Sequence, residues 1–140
     1  MQPSAQGKRG FKVILDSNAL FVPFDFKLDI FNEVKSLLNR NVEFILLSPV
    51  KNELEILSEK KSPKIRRQAL QALKLAEKCT LVEVNNKEKK STDDVIVETA
   101  KAWNSPVLTN DRQLRRRLRD ISVPVIYLRQ KSRLEIDGLI

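Results

Sequence analysis

The sequence predicts a three-layer α/β/α fold around a central parallel sheet of about five strands. Three observations carry that expectation. Apolar runs of strand length recur at Val13-Ile14-Leu15, Phe44 to Leu47, Thr80 to Val84, Val107-Leu108-Thr109 and Pro124 to Leu128. The order reads βαβααβαβαβ, and the connections are long enough for helical crossovers between parallel strands. Four of the strands are each followed by an acid, namely Asp16, Glu53, Asp93 and Asp111. Open sheets of this kind present functional groups at the carboxyl ends of their strands. The fold would therefore bring all four acids to one edge.

The elements can be justified in turn. Val13-Ile14-Leu15 is a buried strand that stops on Asp16, and the following Phe21 to Phe26 stretch, broken by Pro23, reads as a loop or short turn. Ile30, Phe31, Val34, Leu37 and Leu38 fall at helical spacing and predict a helix ending near Arg40-Asn41. After the second strand, Ser48-Pro49 reads as a capping serine and a first-turn proline, with Val50, Leu54 and Leu57 inward. Ser62-Pro63 repeats that signal for a helix over 63–78, with Ile65, Ala69, Leu70, Leu73 and Ala76 inward. The third strand, Thr80 to Val84, leads into the hydrophilic 85–90 loop, expected to be the most mobile segment. Thr92 is the expected cap of the next helix, with Asp93 and Asp94 in its first turn. The fourth strand ends at Thr109, and Asn110-Asp111 opens an arginine-rich helix with Leu114 and Leu118 inward. A fifth strand is followed by a basic tail, and Trp103 and Tyr127 are assigned to the core. The domain plan is a flexible basic tail over 1–10, one domain over 11–130 and a C-terminal tail over 131–140.

Composition excludes several chemistries. There is no histidine, which removes Ser-His-Asp and Cys-His catalysis and any Cys/His zinc site. Cys79 is the only cysteine, so no intramolecular disulfide can form and a cytoplasmic location is expected. The three glycines are Gly7, Gly10 and Gly138, and the body between them lacks the glycines that a P-loop or dinucleotide fingerprint requires. No nucleotide cofactor is expected. No apolar run reaches membrane-spanning length, so no membrane partner is expected either. The net charge of +8 is uneven: residues 11–57 and 91–110 are each net −2, whereas 58–90 is +6 and 111–140 is +4. An acidic pocket in a basic frame suits a polyanion bound across metal ions.

Converging carboxylates bind hard divalent cations such as Mg²⁺ or Mn²⁺. Most of these acids also have an ordinary explanation. Asp93 and Asp94 suit a helix N-terminus, Glu53 suits a solvated helix face, and Asp111 can cap. Asp16 has no such role, and the four together favour a metal site. Arg112, Arg115, Arg116, Arg117 and Arg119, with Lys64, Arg66 and Arg67, are the candidate nucleic-acid contacts, although charge runs also simply face solvent.

These residues resemble the PIN-domain nucleases, a Rossmann-like family, over Lys12 to Leu128. The matching elements are Val-Ile-Leu-Asp-Ser-Asn (13–18), Ser-Pro-Val-Lys-Asn-Glu-Leu (48–54), Asp-Asp-Val-Ile-Val-Glu-Thr-Ala (93–100) and Leu-Thr-Asn-Asp (108–111). The resemblance implies a Mg²⁺- or Mn²⁺-dependent endoribonuclease with Asp16, Glu53, Asp93 and Asp111 as metal ligands and catalytic acids. Asp94 is the alternative third ligand if the register shifts by one. Asn18 and Thr109 match positions that support metal, water or phosphate from behind. The double Asp and the Thr109-to-Arg116 segment resemble the rRNA-processing branch, similar to small-subunit processome nucleases, which implies an rRNA precursor as partner. The toxin branch of toxin–antitoxin systems is the alternative, as is a PIN-like subunit that binds RNA without cutting it. A metal enzyme acting on a small phosphorylated substrate is the remaining rival. Related domains often pair, so the resemblance also allows a homodimer.

Overall fold

The computed structural model describes residues 10–140, so the expected tail over 1–10 lies almost wholly outside the described residues. The strands are β1 (Phe11–Leu15), β2 (Val42–Leu47), β3 (Thr80–Val82), β4 (Val107–Leu108), β5 (Val125–Arg129) and β6 (Arg133–Asp137). A 3-10 turn (Ser17–Phe21) and α1 (Val22–Phe26) follow β1, and the other helices are α2 (Ile30–Leu38), α3 (Ser48–Leu57), α4 (Pro63–Ala76), α5 (Thr92–Trp103) and α6 (Arg112–Asp120). The sheet order is β3-β2-β1-β4-β5-β6. All pairings are parallel except that between β5 and β6. The architecture is the expected α/β/α sandwich, with a sixth, antiparallel strand added.

The sheet fills its centre with the runs that the sequence marks as buried. Val13, Ile14 and Leu15 on β1, with Val107 on β4, are wholly inaccessible to solvent. Strands buried on both faces need branched side chains throughout, which accounts for their unbroken apolar character. The chain leaves β1 towards β2 and β3, then returns to β4 on the other side of β1. The strand order therefore reverses between β1 and β4, the point at which open sheets form a crevice. Backbone bonds continue past the strand ends there: Asp16 N–H donates to the Leu108 carbonyl at 3.0 Å, and Thr109 N–H to that of Ile126 at 3.0 Å.

Several local expectations need correction. The segment over 131–140 is not a tail; its 133–137 stretch is β6, with Leu134 buried. Gln130 and Lys131 make the reversal with φ of 54° and 59°, and Ser132 N–H donates to the Arg129 carbonyl at 3.2 Å. Two consecutive left-handed residues usually call for Asn-Gly, so no hairpin signal was visible. Ser48 does not cap α3; its Oγ accepts from Val84 N at 2.9 Å and ties the start of α3 to the segment after β3. Ser91, not Thr92, caps α5, accepting from Asp94 N at 3.1 Å. On α4 the buried stripe is Ala69, Ala72 and Ala76, while Ile65 and Leu70 are exposed. Small side chains let α4 approach α3 closely, and Leu70 sits one residue off that stripe. Trp103 is 38% exposed, whereas Tyr127 packs against the core as a partly buried ring with an arginine over it. Apart from these corrections, the 85–90 loop carries two hydrogen bonds of its own, Asn86 Nδ2 donating to the Lys90 carbonyl at 2.8 Å and Lys90 N–H donating to Asn86 Oδ1 at 2.9 Å. Among the described residues, no helix is long and apolar enough to cross a membrane.

Candidate metal centre

Asp16 is delivered by β1 to the reversal point and is only 5% exposed. An ionised carboxylate there needs donors, and it has three. Ser17 N–H donates to Oδ1 at 2.8 Å, and Thr109 Oγ1–H donates to Oδ2 at 2.7 Å. Asn18 Nδ2 donates to the same Oδ2 at 3.1 Å. Burial nevertheless pushes the Asp16 carboxyl above its ordinary value. The Thr109 hydroxyl and the Ser17 amide oppose that rise, and the charges of Asp93 and Glu53 reinforce it.

Asp111 arrives from β4. It caps α6, with Oδ1 accepting from Gln113 N at 2.8 Å and from Leu114 N at 3.2 Å. Its own N–H donates to Thr109 Oγ1 at 3.0 Å, so one hydroxyl orders both Asp16 and Asp111. Asp93 comes from the first turn of α5, and its carboxyl is raised by burial and then by the charge of Asp111, against the lowering effect of Arg117. Asp16, Asp93 and Asp111 each offer an oxygen within 4.8 Å of the others. Two like charges about 4 Å apart repel by about 4 kcal/mol at an effective dielectric near 20. Three hard oxygen donors at this separation fit a divalent cation, which would remove that repulsion.

The other predicted residues divide into those the structure brings to this cluster and those it does not. Glu53 lies outside the triad and joins it through Ser17, whose Oγ donates to Glu53 Oε1 at 3.3 Å. Asp94 turns away and pairs with Arg117 at 2.8 Å, which holds its carboxyl below the ordinary range. Asn18 and Thr109 both donate to Asp16 Oδ2, and Asn18 Oδ1 also accepts from Asn110 N at 3.0 Å. Asn110 Oδ1 in turn accepts from Leu128 N at 2.9 Å. Neither Ser17 nor Asn110 was singled out from the sequence. Ser17 adjoins the key acid, but Asn110 reveals its bridging role only once β4 and β5 lie side by side.

The arginines of α6 are less free than their number suggests. Arg115 and Arg119 share Asp137, at 2.9 and 3.2 Å. Arg119 also packs against Gly138, where a Cβ would fall 2.5 Å from the guanidinium and where φ is +108°. Arg112 and Arg116 are exposed and make no ion pair among the described residues. On α4, Arg66 donates to the Lys60 and Lys61 carbonyls at 2.9 and 2.8 Å, whereas Lys64 and Arg67 are exposed.

A doubly wound α/β domain with an acid cluster at its reversal point defines a class. Residues 13–131 match the PIN-like domain family, and the chain belongs to that family. It is similar to ribonuclease VapC4 of Methanocaldococcus jannaschii, with 32% identity over 136 residues covering 93% of this chain and 99% of that protein. It is 28% identical to ribonuclease VapC9 of Archaeoglobus fulgidus over 126 residues, covering 90% and 89%. Among solved structures, the PIN domain endonuclease Utp24 superposes with a TM-score of 0.76 at 24% identity, over 92% of each chain. The VapBC2 complex of Rickettsia felis bound to a promoter DNA fragment gives 0.56 at 18% identity, over 76% of this chain and 92% of that one.

Proposed function

We propose that this protein is a divalent-metal-dependent endoribonuclease, and the convergence of Asp16, Asp93 and Asp111 oxygens to within 4.8 Å of one another is the observation that carries the reading. Asp16, Asp93 and Asp111 would hold Mg²⁺ or Mn²⁺, with Glu53 reaching the site from α3. A cation in this position supplies charge neutralisation and activation of water for phosphodiester hydrolysis. The chain's own residues prepare the site. Thr109 and Asn18 fix the orientation of Asp16, and the α6 backbone amides fix Asp111. Arg112, Arg116, Lys64 and Arg67 are available for phosphates. The space beside the acids is lined by arginines and polar groups rather than by a deep apolar pocket, which favours RNA over a small phosphorylated metabolite.

For the biological role we infer processing of an rRNA precursor, supported by the Asp93-Asp94 pair and the Thr109-to-Arg116 segment. A toxin-type ribonuclease is the second reading, supported by the 32% identity to VapC4. A homodimer that turns two acid clusters into one groove would suit either role, and light scattering of the purified chain reads it directly.

The decisive assay is cleavage of a structured RNA with Mn²⁺ or Mg²⁺ by wild type and Asp16→Asn, with circular dichroism to confirm the fold. Metal-dependent cutting that the variant lacks is the expected result. RNA binding without cutting by either protein would replace the nuclease with a binding subunit.

A further inference from the structure

Beside the acid cluster, between the start of α6 and the β5–β6 hairpin, lies an open cleft of about 460 Å³. Its lining includes Thr109, Asn110, Arg112, Arg115, Tyr127 and Arg129. We propose that this cleft seats one unpaired nucleotide of the RNA, with the base on the flat stack of Arg115 over Tyr127 and the phosphate at Arg112. The proposal rests on the ribonuclease reading and names the form of RNA that the site would take.

Four features support it. Continuity comes first: Thr109 lines the cleft and also donates to Asp16, and Arg112 directly follows Asp111. The cleft therefore adjoins the acid cluster through Thr109 and the Asp111–Arg112 step. The second feature is the platform itself. The Arg115 guanidinium carbon lies 3.7 Å from the centroid of the Tyr127 ring, and its Nε is held by Asp137 at 2.9 Å. An arginine fixed in this way is no longer a flexible arm that wraps a phosphate. It is a planar cation lying on an aromatic ring, and unpaired bases stack on guanidinium planes.

The third feature is division of labour. Arg112 is exposed at the cleft and has no ion pair among the described residues, so its fork is available to a phosphate. The fourth is rigidity. Asn110 ties the cleft floor to β5 through Leu128 N and to the acid site through Asn18 Oδ1. A preformed wall lowers the ordering cost of binding. In a duplex the base is turned inward against its partner, so only an unpaired nucleotide can enter.

The test is binding of a single-stranded oligoribonucleotide followed by fluorescence anisotropy in EDTA, with a series in which each position in turn is made abasic. Wild type should lose about tenfold in affinity at one position, within the 1–3 kcal/mol that a stacked base contributes. Arg115→Lys keeps a cation for Asp137 but loses the plane, and it should bind intact and abasic RNA alike. Arg112→Ala should weaken intact and abasic RNA equally and lower the salt slope by about 0.7. A flat abasic series, or an unchanged selective loss in Arg115→Lys, overturns the proposal. Should Arg115→Lys fail to fold, the abasic series on wild type and the Arg112→Ala salt slope decide. Cleavage of the intact RNA with Mn²⁺, run in parallel, judges the nuclease reading separately: cutting with a flat series sinks only the cleft, and a positive series without cutting sinks only the nuclease.

Discussion

Thr109 shows how much one hydroxyl can carry. It is fully buried, donates to Asp16 and accepts from the Asp111 amide. Thr109→Val keeps the shape but leaves a buried amide and a buried carboxylate each short of a partner. It should cost about 1–3 kcal/mol in urea denaturation and weaken metal affinity by roughly 10–100-fold. Asp16 gives a signed pH dependence. Its folded-state carboxyl is raised, so the folded chain holds a proton that the unfolded chain has already released. The stabilising effect of that proton is full below the ordinary aspartate value of 3.8 and is lost as pH rises through the folded value. In EDTA, the stability of Asp16→Asn relative to wild type should therefore increase as pH rises through that range, measured by thermal unfolding. Added Mn²⁺ should stabilise wild type and leave the variant unmoved. At this scale the sequence drew attention to Asp16 because an acid ends a buried apolar run there, although the same carboxylate also caps the 3-10 turn through Ser17 N–H.

Helix α5 separates two neighbouring acids that the sequence could not separate. Asp93 faces Asp16 and Asp111, whereas one residue on, about 100° round the helix, Asp94 meets Arg117 from α6. Asp93→Asn should lower Mn²⁺-dependent cleavage by roughly a hundredfold or more, on the scale of losing a preorganised electrostatic contact. Asp94→Asn should keep the metal-induced rise in melting temperature and leave stability almost unchanged, as for an exposed ion pair. The opposite ranking would place the register one residue on. Strand and helix order were legible because each apolar run and each 3.6-residue stripe is local. Cap identity was less so: Ser48 and Thr92 are as able to cap as Ser62 and Ser91, and only the tertiary partner decides. Ser48 is drawn to Val84 N across the chain.

At the scale of the molecule, the basic surplus is partly spent inside the fold. Arg115, Arg117 and Arg119 already face Asp137, Asp94 and Asp137. RNA affinity should fall with salt, with a log–log slope of about −0.7 per phosphate contact for a single strand. Arg112→Ala and Arg116→Ala should each flatten that slope more than Arg117→Ala. An affinity indifferent to salt would refute backbone contact. The sheet edge was the least legible part of the fold, since Gln130-Lys131 carries no turn signature and β6 mixes charged with apolar residues. Truncation after Gln130 would remove a ladder of paired residues, buried Leu134 and Asp137 together. It should destabilise by more than the about 2–5 kcal/mol expected for emptying one leucine site, as read by the loss of a cooperative thermal transition.

The grip of Asp137 on Arg115 also bears on how the protein is made. In chain order β6 is the last of the described elements, yet it fixes an arginine that α6 supplied about twenty residues earlier. During synthesis the three acids of the cluster leave the ribosome before the strand that orders their neighbouring cleft. The acidic centre is therefore complete in sequence while its flank is still slack, and Arg115 gains its fixed seat only when β6 zips onto β5.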